Sequence, residues 1–169
     1  RYIMAKTRAV VDNVTEHFEN LDSPMAAAAL RDFTDVLTNW YIRRSRDRFW
    51  EGDRNALDTL YTVLETLCRI AAPLAPLITE EVWRGITGQE SVHLADWPEA
   101  SDFSSDSGLV DAMDVVRDVA SAGLSLRKAH GLRVRLPLGR LTVVSALAQS
   151  ITPFVDIISS ELNVKGVEV

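Results

Sequence analysis

The chain has 169 residues, 47% hydrophobic and 25% charged, a balance that suits one soluble globular domain with a sizeable core and excludes disordered, collagen-like and disulfide-scaffold classes. Eighteen Lys and Arg against twenty-four Asp and Glu leave a net charge of −6, so the surface is not the basic envelope of an indiscriminate nucleic-acid binder, and any RNA or DNA site must be a local patch. No apolar run approaches a membrane span, the N-terminus lacks a secretory layout, the single Cys68 excludes an internal disulfide, and His17, His93 and His130 are too scattered for zinc, so the expectation is a soluble cytoplasmic protein without a metal.

Both ends read as cut from a longer protein, with helical periodicity at the first residues and a strand-like alternation over Asn163–Val169. Ile3, Val10, Val14 and Phe18 recur at three- and four-residue steps and predict a first amphipathic helix from Tyr2 to about Asn20. Ser23 as N-cap and Pro24 in the first turn predict a second helix to about Trp50, with Leu30, Phe33, Leu37 and Tyr41 as its buried stripe. At 1.5 Å per residue it spans roughly 40 Å, and the turn Glu51-Gly52-Asp53-Arg54 ends it. A third helix, capped by Asn55, runs through Leu57, Leu60, Tyr61, Leu64, Leu67 and Cys68 to Ala71, where Pro73 and Pro76 stop it. Thr79 caps a shorter fourth helix to Gly88, and residues 89–108 form a connection that the strand-like Ser91–Leu94 pins to the bundle.

A fifth helix follows from about Leu109 to His130, with Gly131 suited to the position just past its end. Beyond it, Leu132–Pro137 alternates apolar and basic residues, Leu141–Val144 predicts a strand, Ala146–Leu162 a helix bent near Pro153, and Asn163–Val169 a second strand. The predicted fold class is therefore mainly α: an antiparallel helical bundle over residues 1–130 and a small C-terminal α/β appendage over 131–169.

Two stretches oppose the global charge. In Asn39–Trp50, four arginines against one aspartate leave +3, with Trp40, Phe49 and Trp50 interleaved. Guanidinium groups offer bidentate donors to phosphate and planes for stacking on bases, which makes Trp40, Arg43, Arg44, Arg46 and Arg48 candidates for RNA contact. The competing interpretation is a solvated face whose arginines pair with Asp47, Glu51 and Asp53 above a core of Trp40, Phe49 and Trp50. The second stretch, Arg127–Leu138, carries +4 and no acid. An extended backbone would put Arg133 and Arg135 on one side, and with Lys128 they form a candidate phosphate clamp. Its competing interpretation is a basic helix end followed by an ordinary edge strand. No Gly-rich phosphate loop, serine elbow or His-x-x-x-His pair occurs, and Glu80-Glu81 is a helix-start pair rather than two opposed carboxylates. These residues describe a binding or structural module with no catalytic site.

The stretch NWYIRRSRDRFW at Asn39–Trp50 resembles a signature of the anticodon-binding helical domain of isoleucyl-tRNA synthetases, class I enzymes. Three further segments follow in that family's order: AAPLAPLITEEVW at Ala71–Trp83, SVHLADWP at Ser91–Pro98, and KAHGLRVRLPL at Lys128–Leu138. The likeness covers essentially the whole chain, and the arginines after Trp40-Tyr41 favour the isoleucyl branch over the valyl, leucyl and methionyl relatives that share the helical domain. One departure is Leu136, where the family typically carries glutamine. The resemblance implies a parent enzyme that activates isoleucine with ATP and Mg and esterifies it to its tRNA in a catalytic domain outside these residues, whose HIGH and KMSKS signatures do not occur here. It implies as partners the tRNA for isoleucine and the rest of the same polypeptide, in a monomer. A structural connector that docks the catalytic core to C-terminal parts is the alternative role.

Overall fold

The computed structural model describes all 169 residues and divides into two compact units, Arg1–Ser105 and Asp106–Val169. The long helix expected to close the bundle at residue 130 thus groups with the C-terminal elements. Its packing explains this: α6 (Ser107–Ala129) lies against the helices of the chain's end, and a Cβ built on Gly123 would stand 2.5 Å from Leu162 Cδ1. Only a residue without a side chain leaves room for the Leu162 side chain against the backbone of α6. No helix in either unit is long and apolar enough to cross a membrane.

The first unit is built from α1 (Tyr2–Glu19), α2 (Ser23–Asp35), α4 (Arg54–Ala71) and α5 (Pro76–Thr87), with α1 packed on α2 and α4, and α4 on α5. The periodicity that predicts α1 is the one buried: Ile3, Val10, Val11 and Val14 meet Leu30, Phe33, Leu37, Val63 and Ile70 in one core. Burying each such side chain contributes about 1.5–3 kcal/mol, which far exceeds what helix propensity alone supplies. A satellite cluster joins Cys68, Trp83 and Val92 between α4 and α5.

Helix ends depart from expectation by one to three residues. Leu21 adopts a left-handed conformation, φ 57°, and its neighbours close a Schellman turn through Leu21 N–H to Phe18 O and Asp22 N–H to His17 O. That turn aims the Asp22 carboxylate at Met25 N–H, so Asp22 rather than Ser23 caps α2. Asp53, not Asn55, caps α4 by accepting from Ala56 N–H. Pro76 opens α5, and Thr79 instead returns its hydroxyl to Ala75 O.

The predicted second helix is not one continuous α-helix. After α2 the backbone widens into a π-helical segment, Val36–Ile42, passes a turn at Ser45, and resumes as the short α3, Arg46–Trp50. The buried stripe accordingly takes a five-residue step from Trp40 to Ser45, and Tyr41 is only half-buried.

The connection after α5 is pinned as expected, by different means. Ser91–Leu94 contains a 3₁₀ turn, Val92–Leu94, not a strand. Glu80 holds it by accepting from Ser91 Oγ at 3.0 Å and Val92 N–H at 2.9 Å, and the amide of Val92 keeps this carboxyl below the usual carboxylate range. Farther on, Trp97 donates its indole N–H to Thr15 Oγ1 at 2.8 Å and meets Phe18 edge-on, while Arg8 reaches Phe103 O.

In the second unit, α6 is followed by β1 (Leu141–Thr142), α7 (Ala148–Ile151), a 3₁₀ turn containing Pro153, α8 (Val155–Leu162) and β2 (Val167–Glu168). β1 and β2 pair in parallel, Leu141 with Val167 and Thr142 with Glu168, and a bridge joins Leu138 to Val164. A parallel pair requires a crossover, which α7 and α8 supply, with Ile151, Ile158 and Leu162 fully buried. Both strands are shorter than predicted. Leu132–Pro137 is not extended: Leu136 N–H donates to Arg133 O, which closes a turn.

Candidate nucleic-acid interface

In the first basic segment the structure separates the aromatics by role. Trp40 is 8% exposed and belongs to the core, while the guanidinium carbons of Arg43 and Arg44 sit 5.9 and 5.3 Å from its ring centroid. Trp40 therefore packs and supports two surface cations, each such contact being worth about 0.5–1 kcal/mol at an exposed site. Arg43 also donates Nε–H to Asn39 O at 2.8 Å, one helical turn back. Arg48 is tied to Asp53, Nε to Oδ2 at 2.8 Å, and this contact holds the Asp53 carboxyl below its ordinary range. Arg46 makes no ion pair. All four arginines are exposed.

Beneath them, Tyr41 meets Phe49 edge-on at 6.3 Å, and burial pushes the Tyr41 hydroxyl up from its ordinary pKa. Trp50, which the competing interpretation counted as core, is 79% exposed. The sequence thus left two tryptophans open to packing or recognition, and the structure buries one and presents the other.

The second basic segment depends on a residue not singled out from the sequence. Arg127 is 4% exposed, yet no carboxylate meets it. Its Nη1 donates to Leu162 O at 3.2 Å, and its Nη2 donates to Arg133 O and Leu136 O at 2.5 and 2.6 Å, leaving Nε buried without a partner. Asn163 Nδ2 adds a bond to Val134 O at 2.9 Å. Three carbonyl groups of the 133–136 turn, those of Arg133, Val134 and Leu136, are thus held from inside the unit, while the side chains of Lys128, Arg133 and Arg135 are exposed. Exposed basic side chains on a turn clamped through its backbone replace the predicted extended arrangement.

The approach to this turn is also fixed. Gly131, at φ 66°, donates to Lys128 O, and Leu132 N–H donates to Arg127 O, a Schellman close to α6 of the kind expected from Gly131. Arg127 could have been found by period alone. Met113, Val116, Ala120 and Gly123 step by three and four along the buried face of α6, and the next step falls on Arg127.

No group of three or more His, Cys, Asp or Glu is placed to hold a metal ion. The arrangement as a whole offers two sets of exposed guanidinium groups in an acidic chain, suited to phosphate and base stacking rather than to bond making.

Residues 1–146 match the model of the anticodon-binding domain of tRNA ligase. Along 99% of its length the chain is 58% identical to the isoleucine–tRNA ligases of Leifsonia xyli subsp. xyli and of Mycobacterium tuberculosis. Along its whole length it is 52% identical to that of Tropheryma whipplei. The chain spans 16% of the length of each of these relatives. A family match over most of the helical framework, together with basic segments at the positions just described, places the chain in the family of anticodon-binding domains of tRNA ligases.

Proposed function

We propose that the chain is the tRNA-binding portion of an isoleucine–tRNA ligase and grips the tRNA for isoleucine through Arg43, Arg44, Arg46 and Arg48 in the first unit and Lys128, Arg133 and Arg135 in the second. The observation that carries this reading is that every one of these cations is exposed in a chain whose net charge is −6. In an acidic protein, clusters of exposed arginines suit a polyanion, and the relatives, isoleucine–tRNA ligases, point to a tRNA. The whole polypeptide would activate isoleucine with ATP and transfer it to that tRNA, as a monomer in the cytoplasm, with ATP and Mg held by residues outside this chain.

A second role is favoured by a separate feature. Leu30, Leu64, Leu67, Ile78 and Val82 line an apolar groove of about 410 Å³ between α2, α4 and α5. With relatives about six times longer, this groove is a seat for another segment of the same polypeptide, so the first unit would dock as well as bind.

Titration of the chain and of the full-length enzyme with labelled isoleucine tRNA and a non-cognate tRNA, over a series of salt concentrations, tests the main reading. Phosphate contacts release counterions, so the logarithm of affinity should fall linearly with the logarithm of salt, by about 0.7–0.9 per contact. A flat salt dependence, with the arginine variants binding as wild type, would sink it.

A further inference from the structure

The short helix α3 presents two residues outward from a fixed base. Phe49 turns inward onto Tyr41 at 6.3 Å, and Ser45, just before the helix, is 7% exposed. Its far end is locked by Gly52 at φ 72°, by Asp53 N–H donating to Arg48 O at 2.9 Å, and by the Arg48–Asp53 ion pair. On this rigid stub Trp50 remains 79% exposed. Arg46 is four residues earlier, hence on the same helical face, exposed and without an ion pair.

We infer that Trp50 and Arg46 form a binding site for one unpaired nucleotide of RNA, the base stacking on the indole and its phosphate taken by the guanidinium. Three observations favour RNA over a protein partner. Trp50 shares α3 with Arg46, Asp47 and Arg48 instead of sitting in an apolar patch, and the apolar groove of the unit is lined by other residues. The surrounding segment is net positive. A helix end held by capping bonds costs little further ordering on binding, which suits a flat stacking surface. The nucleotide must be unpaired, because a base inside a duplex has no free face to offer.

This inference rests on the tRNA-binding reading, and the test separates the two. In the full-length enzyme, Trp50→Ala, Trp50→Phe and Arg46→Ala are compared for tRNA affinity across a salt series, with melting temperature measured alongside. Trp50→Ala should weaken binding about tenfold at an unchanged salt slope, since stacking releases no counterions. Trp50→Phe should retain most of the affinity, and Arg46→Ala should lower the slope by about one. The fluorescence difference between wild type and Trp50→Phe should be quenched when tRNA is added. If Arg46→Ala weakens binding while Trp50→Ala does not, the stacking site is wrong and the tRNA reading stands. If neither these variants nor the other arginine variants change affinity, both fall. A lowered melting temperature in Trp50→Ala with full affinity assigns Trp50 to docking against the rest of the polypeptide and overturns the inference.

Discussion

The two basic segments carry similar charge, +3 over residues 39–50 and +4 over 127–138, and are built in opposite ways. In the first, a buried neutral ring, Trp40, supports exposed cations from below. In the second, a buried cation, Arg127, supports a backbone turn, and the exposed cations ride on that turn. The comparison teaches that local charge says where an anion can bind, whereas the residue underneath decides whether the charges are carried by a helix surface or by a folded loop.

Removing each support is the strongest way to break the comparison. Trp40→Ala takes a large side chain from the core and should destabilise the first unit by about 3–5 kcal/mol in a denaturant melt, in the range found for buried aromatic truncations. Arg127→Met keeps much of the volume and removes every donor. The carbonyls of Leu162 and Leu136 then lose their Arg127 donor while Arg133 O keeps Leu136 N–H, and the expected cost is about 3 kcal/mol, since each unsatisfied group costs about 1–3 kcal/mol and the exposed turn recovers part of that from water. Arg127→Lys should fall between the two, because one ammonium cannot span three acceptors fixed by a planar fork.

Smaller changes sharpen the contrast. Replacing Arg133 and Arg135 together by alanine should leave the melting temperature within about a degree, as both are exposed, and should reduce the salt slope of tRNA binding by about two in the full-length enzyme. Equal losses for cognate and non-cognate tRNA are expected, because backbone contacts position rather than specify. A large drop in melting temperature with the slope intact would make these arginines structural instead.

The smallest effect concerns pH. Arg48, followed by the backbone of Ala56, lowers the Asp53 pKa in the folded state, so Asp53 contributes stability above its unfolded pKa and loses it as pH falls through the lower folded value. Asp53→Asn should therefore melt below wild type near neutral pH, and the gap should shrink as pH falls through the ordinary carboxylate range and close only below the lowered folded value. A gap that persists in acid would mean that the charge of Asp53 is not responsible, since asparagine still offers the cap an acceptor oxygen.

Much of the framework was legible in the sequence because amphipathic helices advertise a 3.6-residue period. Ile3, Val10, Val14, Leu30, Phe33 and Leu37 are core as that period requires, and Gly52, Gly88 and Gly131 end their helices with positive φ. Local bonding competition hid the exact starts. Asp22 and Asp53 outcompete Ser23 and Asn55 because the preceding turns, and not residue type alone, decide which carboxylate faces the free amides. The extended reading of Leu132–Pro137 failed for a long-range reason, since Arg127 and Asn163 fold that segment through its carbonyls and alternation cannot register a donor arriving from another element. At the candidate site, the arginines were legible as charge, whereas the exchange of roles between Trp40 and Trp50 was not.

That exchange follows from the π-helical segment Val36–Ile42. Each of its wide turns holds one residue more than an α-turn, so it absorbs a one-residue insertion without unravelling the chain. The residues after it are rotated relative to the face defined by Leu30, Phe33, Leu37 and Trp40, so the next buried position is Ser45 and Trp50 is left exposed. Deleting one residue between Val36 and Ile42 would restore an ordinary α-helix and swing Arg43–Trp50 around its axis by about 100°, with the core contacts of α2 left in place. The length of this segment thus acts as an angular setting for the arginine face, one that indels can change in a single step while point substitutions cannot.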